Sequence, residues 1–238
     1  MTLTMVGRLG ACLFAMYRVP VAQVGGLVPR GLELLTLGSW AFWGIVMCRV
    51  EAMRPAGMPS GLGMTYLHVA HRLYVRSRLA DGRTLDGLYF LRSEANRAMV
   101  CLGGNRVSDF HFHRARIALE SGPDEARVTV QPRDMPASRL VARPAPRFEL
   151  PADSCFTSVD QARVVLKYSP MGLSIHGRHV HLAEVFRDES HWHESPLTVI
   201  ESHWPCLHKH APGARLEMAT RAEPIDYRWR LGRRERLV

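Results

Sequence analysis

The sequence predicts a mainly β (α+β) fold: one strand-rich domain spanning residues 1–238, with two or three short helices. Three observations carry this reading. Thr65 to Arg78 alternates with period two, placing His68, Ala70, Arg72 and Tyr74 on one face and Leu67, Val69, His71, Leu73 and Val75 on the other. Asp81-Gly82 is a hairpin turn signal, and Thr84 to Arg92 returns as the partner strand. Trp40 to Cys48 is too apolar for a strand with one wet face, so it belongs at the centre of the sheet, covered on both sides.

The other elements follow the same logic. Ala11 to Val19 is an apolar strand ending at Pro20. The overlapping Gly10–Met16 run is too short for a membrane helix, which needs roughly 18 apolar residues, and Tyr17-Arg18-Val19-Pro20 follows where a signal peptide would have small residues for cleavage. Met53 to Gly63 holds two prolines and three glycines and reads as a loop. Ser93-Glu94 is a helix start, with Ser93 as cap and the helix running to about Leu102 before Gly103-Gly104. Phe110–Glu120 and Ala126–Pro132 form a second hairpin around Ser121-Gly122-Pro123. Pro132 to Pro151 carries five prolines and reads as an extended connection with one short edge strand. A second helix starts at Asp153 or Thr157 and runs through Lys167 to a stop at Tyr168-Ser169-Pro170. Strands over Ser174–Phe186, Leu197–His203 and Glu217–Trp229 complete the sheet.

Composition narrows the function classes. The chain is 47% apolar and 22% charged, enough for one sizeable core. The five cysteines are widely spaced and form no Cys-x-x-Cys pair, which fits reduced core thiols in a cytoplasmic protein. The net charge of +9 comes almost wholly from arginine, since lysine occurs only at Lys167 and Lys209. These arginines are scattered rather than clustered with aromatics, so nucleic acid is not the expected partner. No membrane partner is expected, and exposed strand edges allow a homo-oligomer.

Read in order, Tyr17-Arg18-Val19-Pro20, Leu27-Val28-Pro29-Arg30-Gly31-Leu32-Glu33-Leu34, His68-Val69-Ala70-His71-Arg72-Leu73-Tyr74-Val75 and Phe110-His111-Phe112-His113-Arg114-Ala115-Arg116 resemble the uncharacterised YqjF-like family. That family is related to acetoacetate decarboxylase, and the resemblance, covering roughly Ala11 to Trp229, implies its closed, β-barrel-type sheet. In the family the strand at His68 reads Glu-x-Asn-x-Arg-x-Tyr-Val; Arg72, Tyr74 and Val75 fit, whereas His68 and Ala70 replace the acid and the amide. In acetoacetate decarboxylases the strand entered at Phe110 carries the lysine that condenses with the ketone. The alignment puts Phe112 at that position and His113 beside it. Neither can form an imine, so that reaction is not implied here.

The resemblance turns the His68 face inward. The expected function is a pocket for a small molecule, an organic acid, with Arg72, Tyr74, Phe112 and His113 as ligand-binding residues and His68 as candidate acid–base. Arg72 either meets a substrate carboxylate with its two-pronged donors or forms a structural pair with Glu94 or Glu184. Any chemistry would be of the lyase, hydratase or cyclase type, without a Schiff base and without a cofactor. A non-catalytic binding protein is the alternative. A third reading uses the spacing of His111/His113, His179/His181 and His191/His193, which on a strand places two imidazoles on one face about 7 Å apart. His68, Glu184 or His203 would supply a third ligand. That spacing is loose and arises on any solvated strand, so no metal is expected.

Overall fold

The computed structural model describes residues 3–167, 169 and 171–238. In chain order the elements are β1 (Leu3–Pro20), α1 (Val21–Val24), β2 (Glu33–Leu34), β3 (Thr36–Leu37), β4 (Trp40–Pro55), β5 (Met64–Arg78) and β6 (Thr84–Ala95). Then come α2 (Ala98–Val107), β7 (Phe112–Ser121), β8 (Ala126–Pro132), β9 (Ser138–Pro144), α3 (Val159–Val165), β10 (Met171–His176) and β11 (His179–Arg187). The chain ends with β12 (Glu194–His203), α4 (Pro205–His210), β13 (Arg215–Ala222) and β14 (Ile225–Arg236). The fold is mostly strand, as the sequence predicts.

All the strands join one sheet, and it returns on itself twice. β1, β4, β5 and β6 are antiparallel neighbours and form a shared layer. From β6, one path runs through β10, β11 and β14 back to the first half of β1. The other runs through β7, β8, β9, β12 and β13 to the second half of β1.

The shared layer is therefore buried on both faces, which explains its unbroken apolar runs. One face presents Leu13, Ala15, Trp43, Ile45, Val69 and Leu73 to Val128, Val130 and Leu140. The other presents Phe14, Phe42, Val46, Ala70 and Tyr74 to Phe156, Ala162 and Leu166 of the α3 segment. A fully buried leucine or isoleucine here, such as Leu13 or Ile45, contributes about 1.5–3 kcal/mol relative to an exposed one.

Several expected boundaries move. Ser174–Phe186 is not one strand but the β10–β11 hairpin, turning at Gly177, whose φ of 59° is one that glycine adopts freely. Glu217–Trp229 is likewise split, into β13 and β14 around Pro224, which has no N–H for a ladder. β9 pairs with β8 and β12, so it is not an edge strand. β4 continues to Pro55 and takes in Met53, Arg54 and Pro55 of the expected loop.

The first helix expected from the sequence is α2, which starts at Ala98 rather than Ser93 and runs through Gly103-Gly104. Ser93 and Glu94 are buried because β6 continues beside β7 in parallel, with Ser93 opposite Phe112 and Glu94 opposite His113. Tertiary pairing overrides the local cap signal. Gly104 is needed for contact, since a Cβ there would lie 2.5 Å from the Phe112 ring. The second helix is capped by Ser158, whose side chain accepts from the Gln161 amide. Of its expected stop, Tyr168 and Pro170 lie outside the described residues.

Candidate functional site

The register of three adjacent strands assembles the site. In β1 and β4, Cys12 stands directly opposite Cys48; in β4 and β5, Cys48 stands opposite His68 and Gly44 opposite Arg72. Period two puts His68, Ala70 and Arg72 on one face of β5, so Cys12, Cys48, His68 and Arg72 share the inward face of the first path. Small residues leave room between the polar ones: Ala70 lies between His68 and Arg72, and Gly44 beside Arg72.

The space they border is a cavity of about 50 Å³. Its floor is Cys12, Val46, Cys48, His68 and Arg72, all buried. Leu88 and Phe90 of β6 and Tyr227 of β14 form walls, while Phe110, Ser169, Met171, Val185 and Trp229 are half-buried and form the rim. Phe90 and Phe110 stack with ring centres 4.0 Å apart, and Trp229 lies 5.5 Å from Phe110. The site is thus an apolar slot with a few convergent polar groups, the usual composition of a small-ligand pocket.

Arg72 is 2% exposed, and its guanidinium lies 5.8 Å from the centre of the Phe90 ring. His68 is 7% exposed, with its ring 5.1 Å from Phe112 and 6.3 Å from Tyr66. Its Nε2 is buried and has no hydrogen-bond partner among the described residues. The Cys48 thiol is held below its ordinary range, first by a hydrogen bond with Cys12, then by a hydrogen bond with His68 and the charges of His68 and Arg72; burial opposes these effects. Burial and the Cys48 neighbour push Cys12 well above its ordinary value. The two thiols are thus shifted in opposite directions, Cys48 downward and Cys12 upward.

The sequence-predicted residues are placed unequally. His68 and Arg72 both line the cavity. Tyr74 lies outside its lining: its ring packs over Gly44, and its hydroxyl donates to the Leu166 carbonyl at 2.9 Å. Phe112 backs His68 from beneath α2, and Phe110 takes the lining position. His113 points away from the cavity, half-exposed, with its Nδ1 3.5 Å from Asp134. The proposed carboxylate partners of Arg72 are engaged elsewhere. Glu94 accepts from Arg92, and Glu184 accepts from Arg230 and Arg233 at 2.9 and 3.1 Å.

Neither lysine lines the cavity: Lys167 is exposed beside Glu189 at 3.5 Å, and Lys209 is exposed on α4. Among the described residues no three histidine, cysteine or acidic side chains converge as a metal site. Sequence reasoning missed Cys12 and Cys48, taking them for inert core. They lie in different strands, and only the β1–β4 register brings them together.

No curated protein matches the sequence at a significant level. Solved structures do match the fold. An acetoacetate decarboxylase-like enzyme from Sphingomonas wittichii RW1 superposes with a TM-score of 0.62 at 13% identity, covering 99% of this chain and 92% of that one. The acetoacetate decarboxylase of Legionella pneumophila subsp. pneumophila str. Philadelphia 1 gives 0.61 at 10% identity, covering 98% and 87%. The enduracididine biosynthesis enzyme MppR, complexed with pyruvate, gives 0.58 at 11% identity, covering 100% and 91%. At such identities the likeness establishes the acetoacetate decarboxylase-like fold and nothing finer. No described helix is long and apolar enough to cross a membrane. A family model described as an uncharacterized conserved protein matches residues 8–170, more than half the sequence, and the chain belongs to that family, DUF2071.

Proposed function

We propose that this chain binds a small organic acid in the cavity over β1, β4 and β5, with Arg72 holding the carboxylate and His68 moving a proton. The observation that carries the reading is a buried guanidinium and a buried imidazole lining one apolar slot. A guanidinium there offers two parallel donors to a carboxylate, and the dry surroundings strengthen that bond. An imidazole can give or take a proton and so can serve as acid or base. A similar fold binding pyruvate in MppR is in keeping with a ligand of this size. Turnover would be of the lyase or hydratase type. A purely binding role is the second reading, and its sign would be a retained ligand with no turnover.

The test is Arg72→Met, scored by thermal shift and calorimetry against a panel of small 2-oxo, 2-hydroxy and enoic acids. The variant should lose about 2–5 kcal/mol of affinity, as when one partner of a desolvated charge pair is truncated. Unchanged affinity, or a large loss of stability before any acid is added, would reject Arg72 as the clamp.

Imine chemistry is a separate matter. Borohydride added with acetoacetate should leave the protein mass unchanged, because both lysines are exposed and neither lines the cavity. A reduced adduct on Lys167 or Lys209 would overturn that expectation.

A further inference from the structure

The cavity holds a feature that acid binding does not use: a thiol between a second thiol and an imidazole. Cys48 sits in the middle strand of three, with Cys12 and His68 directly across from it on either side, and all three line the cavity with Arg72. Residues directly opposite on neighbouring strands share a face, so all three side chains stand on the same side of the sheet. The His68 Nε2, buried and without a partner among the described residues, belongs to a ring lining the same space.

We propose that Cys48 is a covalent nucleophile that attacks the electrophilic carbon of a small 2-oxo acid lying in the cavity. The proposal rests on the organic-acid reading for its substrate class, but the nucleophile can be tested without it. The thiol gives its proton to His68, and the sulfur lone pair forms a C–S bond to the carbonyl carbon. The C=O π pair moves onto oxygen, which takes the proton back from His68. Atoms and charge balance with no oxidant or outside base, and the product is a reversible thiohemiketal. The held-down thiol of Cys48 supports this assignment, since the thiolate is the attacking form. The three thiols outside the cavity lack such surroundings. Burial raises Cys101 and Cys206, the latter to about 11, and burial together with the Glu217 charge raises Cys155 to about 12.

The experiment compares two alkylating agents of similar size, bromopyruvate, which carries a carboxylate, and neutral bromoacetone. In each, the Cys48 sulfur forms a C–S bond while the C–Br pair leaves as bromide. Peptide mass mapping of the full wild-type chain should find Cys48 alkylated first by both reagents, with bromopyruvate at least tenfold faster and slowed by excess pyruvate. Cys48→Ala should remove the fast phase and leave slow labelling of Cys101 and Cys155. Cys12→Ala should keep Cys48 as the labelled site but slow it, since the hydrogen bond is lost. Labelling confined to Cys101 and Cys155 in wild type, or an unchanged fast phase in Cys48→Ala, would overturn the nucleophile. Fast labelling of Cys48 by both reagents equally would uphold the nucleophile while removing the Arg72 clamp. If Cys48→Ala does not fold, the wild-type map alone still decides.

Discussion

Acidification from pH 6.5 to 3 is expected to remove roughly 5 kcal/mol of stability through one side chain, His71. This imidazole is 2% exposed on the face of β5 opposite the cavity, between Trp43 and Trp204. The Trp43 indole can only donate, and it reaches His71 Nδ1 at 3.2 Å, so the ring is neutral with its proton on Nε2. Burial, then the charges of Arg92 and Arg72, pull its pKa from 6.5 down to about 3. Between those values the unfolded chain binds a proton that the folded chain does not. Stability is therefore complete above pH 6.5 and falls by about 1.4 kcal/mol per pH unit toward pH 3. Carboxylates titrate in the same window, so the measurement is a difference. His71→Gln keeps an acceptor for the indole and has no titration. Urea unfolding of the two proteins should show the variant gaining about 3 kcal/mol on wild type between pH 7 and 4. Parallel pH curves would mean that His71 is protonated in the fold.

His71 and Arg72 are adjacent in sequence, and their different fates show what was legible. Period two separates them onto opposite faces of β5 from the sequence alone, and the apolar run of Trp40–Cys48 marks its neighbour as central. The His68–Arg72 face was therefore readable, and so was the mostly strand architecture. What could not be read is anything set by pairing between distant strands. The β1–β4 register that puts Cys12 against Cys48 joins residues 36 positions apart, and a shift of one residue would face the thiols apart. The exchange of Phe112 for Phe110 at the cavity has the same origin. β7 joins β6 in parallel only from Phe112 onward, so the lining residue, Phe110, lies two positions before the strand starts. The Ser93 cap signal failed because a local preference of about 1 kcal/mol does not outweigh continued sheet pairing and burial.

Replacing Arg18 with methionine is expected to cost about 3–5 kcal/mol, the loss that follows when one member of a buried ion pair is left alone. Arg18 is 3% exposed on β1, and its guanidinium packs 5.1 Å from the Trp40 ring centre. It donates to Glu217 and, at 2.6 Å, to Asp153. Glu217 lies on β13 where its register with β1 shifts, and it is 1% exposed. The same carboxylate accepts from the Ser154 hydroxyl at 2.5 Å and the Cys155 amide at 3.2 Å. This network ties the segment between β9 and α3 to the sheet and brings Phe156 to stack on Phe42 at 5.3 Å. Without Arg18 the Glu217 charge keeps two neutral donors, too few to offset its desolvation. The double variant Arg18→Met, Glu217→Met removes both charges and should recover part of the loss, since apolar replacements of a buried pair are often near neutral. Denaturant unfolding of wild type, the two single variants and the double variant closes the cycle. A loss below about 1 kcal/mol in Arg18→Met would place the pair among ordinary surface salt bridges. A double variant as unstable as the sum of the singles would mean that the two side chains act independently, each through its own packing.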